Sequence, residues 1–152
     1  PVFTTAGSSP FEVEKSKVQA RMLSGRYRTE RLRRHWSQNR EGYCILPTCW
    51  RTSEDLEHIL LHCPAHQAAR TRLLTMWADY LVTMPHLATV VEHYSTIPGP
   101  HLLQFLVDPS VLSLVIILRQ EHGEEVINSL FYLTRTFCYS IHRCRLKLLG
   151  LI

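Results

Sequence analysis

Residues 126–150 read VINSLFYLTRTFCYSIHRCRLKLLG, the most regular apolar pattern in the chain. Its apolar positions recur every three or four residues, at Val126, Leu130, Leu133, Phe137, Ile141, Cys144 and Leu148. This spacing places them on one face of a helix that Gly150 would close. We expect the helix to pack on the core of its own domain. A seam for a partner protein is the alternative.

The segments upstream of this helix also favour helices. Residues 11–23 allow an amphipathic helix that stops at Gly25. The stretch TERLRRHW, residues 29–36, predicts a shorter one with Thr29 as its N-cap. We therefore expect two helices in the first quarter of the chain.

Proline positions predict helix starts in the second half. Pro64 suits the first position of a helix over residues 64–82, and Pro109 after Asp108 suits another. The apolar run VLSLVIIL, residues 111–118, then predicts a buried helix, with a strand as the alternative that periodicity alone leaves open. The PGP triplet at 98–100 marks a break.

These patterns predict an all-α, irregular helical domain. A chain of 152 residues has the size of one domain, and its longest apolar run of eight residues is too short to cross a membrane. We expect a soluble piece of a longer protein, because Pro1 stands where an initiator methionine would. Residues 1–14 are predicted to be a flexible arm or linker. Within the domain, 15–152, we expect basic helices (15–40), a metal knuckle (43–64) and a helical bundle (65–150).

Residues 44–66, CILPTCWRTSEDLEHILLHCPAH, combine three of the five cysteines with histidines. Written C-x4-C-x8-H-x4-C, the cluster predicts a zinc site formed by Cys44, Cys49, His58 and Cys63. Four protein ligands leave no open coordination position, so the zinc would be structural. The odd number of cysteines and their clustering favour reduced, intracellular thiols over a disulfide framework.

Two alternatives to this ligand set remain. His62 follows His58 by four residues on the same helix face and could replace Cys63, which lies about 140° from His58 on an ideal helix. Pro64 favours Cys63, because it ends the helix there and lets the chain turn the thiolate back. The other alternative is that the three cysteines are small buried apolar residues without a metal. We also expect Thr52 and Asp55 to form a capping box at the start of this helix.

Positive charge is concentrated before the cluster. Residues 15–40 hold nine basic residues against Glu30 alone, a net +8, whereas the whole chain carries only +4. The basic residues are Lys15, Lys17, Arg21, Arg26, Arg28, Arg31, Arg33, Arg34 and Arg40. Arginines interleaved with Tyr27 and Trp36 are typical of surfaces that bind RNA or single-stranded DNA. A solvated basic face without a partner is the alternative.

A smaller basic group lies on the last helix. It comprises Arg135, Arg143, Arg145 and Lys147, accompanied by Tyr132, Tyr139 and His142. We expect Arg143, Arg145 and Lys147 to form a second nucleic-acid contact. No catalytic residues are predicted, because the chain has no phosphate-binding loop, no nucleophile elbow and no H-E-x-x-H motif.

Several of these segments together resemble the C-terminal region of non-LTR (LINE-type) retrotransposon reverse transcriptases. The resemblance rests on MLSGRYRT (22–29), HW (35–36), the C-x4-C element, LEHILLHCPA (56–65) and FYLTRTFCYSIHR (131–143). It covers residues 15–150. In that family a zinc knuckle follows the polymerase and binds nucleic acid, which implies Cys44, Cys49, His58 and Cys63 as ligands.

The resemblance implies a function without catalysis in this segment. The chain would be an accessory domain that binds RNA, and in some settings DNA, during target-primed reverse transcription by an upstream RNA-directed DNA polymerase. Intracellular localisation, nuclear with cytoplasmic assembly of an RNA–protein particle, follows from that role. We expect no small-molecule substrate and no membrane partner. The alternative is a zinc-pinned interaction module that docks on the polymerase or on a host protein.

Overall fold

The computed structural model describes residues 9–36, 41–83, 85, 88, 92, 100–111 and 113–152. Within these ranges the chain is helical and contains no strand, which confirms the predicted all-α class. The helices are α1 (Pro10–Leu23), α2 (Glu30–Trp36), α3 (Gln67–Thr83), α4 (Pro100–Val107), α5 (Ser113–His122) and α6 (Glu124–Leu148). Shorter turns of helix lie at Pro47–Cys49, His58–His62, Pro64–His66 and Pro109–Val111.

The long helix α6 forms the centre of the fold and contacts α1, α3, α4 and α5. Its predicted apolar stripe is buried from Val126 to Ile141. The stripe then leaves the core, since Cys144 is half-buried and Leu148 is 41 % exposed. The central position of α6 therefore follows from the first five positions of the pattern.

Helix α1 begins earlier than the predicted flexible arm allows. The hydroxyl of Ser9 accepts a hydrogen bond from the Glu12 backbone N–H, and Pro10 occupies the first helical turn. Phe11 packs edge-on against Tyr139 of α6, with ring centroids 5.3 Å apart. Residues 10–14 therefore belong to the domain. The part of the predicted arm at 1–8 lies outside the described residues.

The contact between α1 and α6 includes buried polar pairs. Gln19 donates to the Thr134 hydroxyl at 3.0 Å, and Arg135 donates to the Ser16 hydroxyl at 2.9 Å. These four side chains are buried, so each contributes mainly by satisfying a polar group that would otherwise lose water. Arg135 is therefore structural and is not part of an exposed basic group.

A helical turn begins after Asp108, at Pro109, as predicted. The apolar run at 111–118, by contrast, is buried at some positions and exposed at others. The Asp108 carboxylate accepts from the Ser110 backbone and hydroxyl, which fixes the turn before α5. Val115 and Leu118 face the core, whereas Ile116 and Ile117 are 41 % and 50 % exposed. The run is apolar around more of the helix than α6 covers, so Ile116 and Ile117 remain at the surface.

Pro64 opens a short 3₁₀ turn that leads directly into α3, as its position predicted. The break predicted at 98–100 falls mostly outside the described residues, and α4 begins at Pro100. None of the described helices is long and apolar enough to span a membrane.

Candidate metal centre and arginine groove

The metal loop, residues 41–66, starts as a small hairpin. Tyr43 and Ser53 form an isolated antiparallel bridge, flanked by hydrogen bonds from Cys44 N to Thr52 O (2.8 Å) and from Glu54 N to Gly42 O (3.0 Å). The 3₁₀ turn Pro47–Cys49 forms the tip of the hairpin. This geometry holds Cys44 and Cys49 on one side of a rigid loop.

The helix after the hairpin is capped by Asp55, and the predicted capping box through Thr52 is wrong. The Asp55 carboxylate accepts from His58 N at 2.8 Å, whereas the Thr52 hydroxyl donates to the carbonyl of Cys49. Thr52 lies in the hairpin, and its backbone is needed for the ladder with Cys44. It is therefore too far from the helix to cap it.

The turn His58–His62 is a π-helix, and this explains how Cys63 reaches the site. Cys63 N donates to His58 O at 2.7 Å, a hydrogen bond between residues five apart. A π-turn is wider than an α-turn, so the fifth residue returns close to the first. Cys63 then leaves the helix in an extended conformation before Pro64. The 140° separation on an ideal α-helix therefore does not arise.

The four predicted ligands lie together and could hold a metal ion. One ligand atom from each of Cys44, Cys49, His58 and Cys63 lies within 4.8 Å of all the others. The Sγ atom of Cys63 is 3.9 Å from that of Cys44 and 4.0 Å from that of Cys49. In a tetrahedral zinc site with Zn–S bonds of about 2.3 Å, two sulfurs are about 3.8 Å apart. The spacing of the thiols fits such a site.

The chemistry of the buried ligand atoms also fits a metal. His58 Nε2 is buried without a hydrogen-bond partner, which costs free energy unless something else binds it. Burial lowers the pKa of His58, so the ring stays neutral and can donate its lone pair. Burial raises the pKa of Cys44 to about 12 and also raises that of Cys63. Three neighbouring thiols would ionise together only if a cation replaced their protons.

His62, the alternative ligand, points away from the site. Its side chain is 59 % exposed, and Nε2 lies 3.6 Å from a carboxylate oxygen of Glu57. It is not in the cluster that the other four side chains form.

The structure brings the two predicted basic regions together in one groove of about 570 Å³. We call this the arginine groove. It is lined by Arg21 from α1, Arg26, Tyr27 and Arg28 from the following loop, Arg33 from α2, and His142, Arg145 and Leu146 from α6. The chain reversal at Gly25, whose φ is +67°, allows α1 and α2 to contribute from opposite sides.

Carboxylates neutralise some of the predicted basic residues. Lys17 pairs with Glu14, Arg31 with Asp55, and Arg33 with Glu30. By contrast, no carboxylate among the described residues pairs with Arg21, Arg26 or Arg28, all of which are exposed. These three guanidinium groups are available to an anion in the groove.

Three predicted nucleic-acid contacts are buried and must be corrected. Lys15 forms an ion pair with Glu12, with Nζ 2.7 Å from Oε1, and its ammonium group lies over the Phe11 ring. Its charge is therefore neutralised within the domain. Tyr27 is 6 % exposed, and its hydroxyl is 3.1 Å from Nδ1 of His142, so its ring cannot stack on a base. The third is Arg145.

Arg145 forms a buried ion pair with Glu54, a residue that the sequence analysis did not single out. Its Nη2 and Nε atoms donate to Glu54 Oε1 at 2.7 and 3.2 Å, and Glu30 lies 3.7 Å away. Glu54 Oε1 also accepts from Glu30 N at 2.8 Å. The pair joins the metal loop, the start of α2 and the end of α6, so Arg145 forms part of the groove floor.

The remaining predicted contacts are distributed as follows. Arg34, Arg143 and Lys147 are exposed outside the groove lining. Nothing is described of the Trp36 side chain, and Arg40 lies outside the described residues. No protein-family model, curated protein or solved structure matches this chain.

Proposed function

We propose that this chain is a zinc-pinned, nucleic-acid-binding accessory domain. The ion assigned to Cys44, Cys49, His58 and Cys63 is Zn²⁺, because three thiolates and one imidazole form a donor set that zinc favours. With all four positions taken by protein ligands, the ion orders the metal loop and does not bind a reactant.

The observation that carries the binding proposal is the arginine groove. Arg21, Arg26 and Arg28 converge there without carboxylate partners, whereas most other cations of the basic segment are paired. Guanidinium groups bind phosphate oxygens in pairs of parallel hydrogen bonds. The groove is therefore assigned to the phosphate backbone of RNA, with DNA as a second ligand of the same kind.

The binding proposal is tested by salt dependence. We expect the zinc-loaded chain to bind a fluorescent single-stranded RNA, with the logarithm of affinity falling linearly as the logarithm of salt concentration rises. The double variant Arg26→Gln/Arg28→Gln should reduce the slope by roughly 1 to 2, because each lost phosphate contact removes about 0.7 for a single strand.

A matched control removes the same charge elsewhere. Arg72→Gln/Arg119→Gln changes two exposed arginines on α3 and α5 that do not line the groove. It should leave the slope nearly unchanged. Equal slopes for the two double variants would refute the assignment of the groove.

The resemblance to LINE-type reverse transcriptases supplies the proposed setting. There the domain would follow an RNA-directed DNA polymerase and hold template RNA or target DNA during target-primed reverse transcription, without catalysing a step itself. Assembly with RNA in the cytoplasm and action in the nucleus belong to the same proposal. Its test is whether adding this domain increases the RNA retained by the parent polymerase.

Exposed side chains on α5 favour the second candidate, a protein-interaction module. Ile116 and Ile117 are 41 % and 50 % exposed and adjacent, an apolar pair that a partner surface could cover. Ile117→Asp would then abolish association with the polymerase while leaving RNA affinity intact. The groove proposal predicts the reverse pattern for the Arg26 and Arg28 variants.

A further inference from the structure

The tip of the metal loop carries an exposed and strained tryptophan. Trp50 is 85 % exposed, the largest exposure among the large apolar side chains described. Its φ is +33°, and that of Arg51 is +54°. In the described part of the chain these are the two non-glycine residues with positive φ, and they are consecutive.

The fold depends on the backbone conformation of Trp50 and Arg51, but it does not depend on the indole ring of Trp50. Trp50 N donates to Pro47 O at 3.2 Å, and Thr52 N donates to Cys49 O at 2.9 Å, so the left-handed pair closes the tip and aims the Cys49 thiol inward. A glycine would adopt this conformation without the steric cost that other L-residues incur. The indole itself makes no ring contact or side-chain hydrogen bond with any described residue.

Strain together with exposure indicates that the ring serves a partner. Non-glycine residues persist in such conformations mainly where function selects them. Solvation alone does not explain Trp50, because a polar residue would be better hydrated and asparagine would accept the backbone better. The partner must therefore contact an aromatic face.

The neighbourhood of Trp50 identifies the kind of partner. Arg51 is exposed, and no described carboxylate pairs with it. Thr48 and Thr52 are exposed as well, and the further exposed apolar area near the tip comes from Ile45, 39 % exposed, and Pro47. Protein interfaces usually surround an aromatic anchor with a packed apolar patch. One isolated ring beside a free guanidinium fits an unpaired base and its phosphate.

The hairpin that carries the tip starts directly beside the basic helix α2. At the base of the hairpin, a Cβ atom on Gly42 would come within 3.2 Å of Arg34 and 3.3 Å of Arg31. The paired part of the hairpin advances only about 7 Å from there towards the tip, two residues at 3.4 Å each. A strand bound along α2 can therefore extend a few nucleotides to the tip.

We propose that Trp50 stacks on an unpaired nucleobase of the strand whose phosphates occupy the arginine groove, while Arg51 binds the adjoining phosphate. This inference rests on the proposed function and adds that the ligand is single-stranded. The site recognises bases that are free to unstack, so it distinguishes single strands from duplex. Stacking tolerates any base, so sequence preference is weak at this position.

The test compares natural, abasic and double-stranded probes of equal length on the zinc-loaded chain. Trp50→Gly removes the ring and relieves the strain, and Trp50→Phe keeps an aromatic face. We expect Trp50→Gly to bind a single-stranded RNA about 5- to 160-fold more weakly than the wild type, since one stacked base contributes about 1 to 3 kcal/mol. Its Tm should be unchanged or higher, and its zinc content unchanged. Trp50→Phe should recover most of the affinity.

The abasic and duplex probes separate stacking from an indirect effect. An abasic strand should bind wild type and Trp50→Gly equally weakly, and duplex of the same sequence should not distinguish the two proteins. Equal binding of the natural single strand by wild type and Trp50→Gly would overturn the inference. If that strand still depends on Arg26 and Arg28, the groove proposal survives. If no strand binds the wild type at low salt, both fail together.

Discussion

The metal loop and the bundle around α6 are stabilised in different ways. The bundle buries a continuous apolar stripe, so its stability is spread over many side chains such as Leu130, Leu133 and Phe137. The metal loop adds Ile59 and Leu60 to the same apolar core, but its hairpin depends on four ligand atoms, two ladder hydrogen bonds and the Glu54–Arg145 pair. Single changes should therefore weaken the bundle gradually and disable the loop at a few positions only.

Metal removal should give the largest effect and should separate the two regions. We expect a chelator to abolish amide protection in residues 43–63 while the protected amides of α6 persist, because structural zinc contributes about 10 kcal/mol in zinc-finger peptides. Hydrogen exchange with mass spectrometry measures both regions at once. Cys63→Ser should reproduce the loss, and Cys144→Ser, whose thiol only donates to Ala65 O, should retain one zinc. Identical exchange with and without chelator would eliminate the metal site.

Glu54→Gln should have the second-largest effect, because it leaves Arg145 without its closest counter-charge. Both side chains are at least 95 % buried, and breaking such a pair costs about 3 to 5 kcal/mol. Denaturant unfolding measures the loss. The double variant Glu54→Leu/Arg145→Met should recover most of it, since it removes both charges. Glu57→Gln, at an exposed carboxylate 47 % accessible, is the control and should change stability little.

Leu130→Ala tests the bundle with a comparable change. Leu130 is fully buried, so the lost contacts and residual cavity should cost about 2 to 5 kcal/mol in global unfolding. Zinc affinity should change little in the folded state, because all four ligands come from the metal loop and none from α6. Leu74→Ala, 56 % exposed on α3, should cost far less. A weaker zinc site in Leu130→Ala would mean that the two regions are more tightly coupled than their contacts indicate.

The pH dependence of stability should reveal the contribution of His66, the last residue of the metal loop, which lies beside α6. Burial, followed by the charges of Arg70 and Arg145, lowers the pKa of His66 to about 4. The unfolded chain, with a histidine pKa of about 6.5, binds this proton first as pH falls. The stabilisation is therefore complete above pH 6.5 and is lost progressively towards pH 4.

His66→Gln should flatten this part of the stability profile measured by denaturant unfolding. The substitution leaves the metal ligands in place, so proton competition for zinc affects both proteins and cancels in the difference. His62→Gln, at an exposed histidine, is the control and should keep the wild-type slope. An unchanged slope in His66→Gln would show that this imidazole does not contribute.

Asp55→Ala should have the smallest effect. Loss of an N-cap costs about 1 kcal/mol, which here should weaken zinc binding by roughly 5-fold because the cap holds His58 in place. Competition with a chromogenic chelator measures the affinity. Ser9→Ala removes the cap of α1 and should cost similar stability without changing zinc affinity. Equal zinc affinity in both variants would show that the cap does not position the ligand.

The sequence predicts the parts of this structure that depend on local spacing. The stripe of α6 follows from intervals of three or four residues, the start at Pro64 from proline stereochemistry, and the four ligands from the C-x4-C-x8-H-x4-C pattern. The π-turn that brings Cys63 back to His58 has no such signal, although Pro64 favoured the same ligand.

Contacts between distant polar residues were not predictable in the same way. Arg145 follows Ile141 by four residues and so lies on the buried face of α6, unlike Arg143, but nothing in the sequence identifies Glu54, 91 residues away, as its partner. Lys15 likewise resembled the other cations of its segment and is buried against Phe11 and Glu12. The predicted basic surface was therefore too large, because charge counting cannot tell which cations the fold neutralises.

The Glu54–Arg145 pair also imposes an order of assembly during synthesis. The four metal ligands are complete once residue 63 has left the ribosome, so the loop can acquire its ion while α6 is still untranslated. The wall of the groove formed by His142, Arg145 and Leu146 is made long after the metal ligands. The metal loop can therefore be complete well before the arginine groove, so in a nascent chain the groove that we assign to RNA lacks one of its walls.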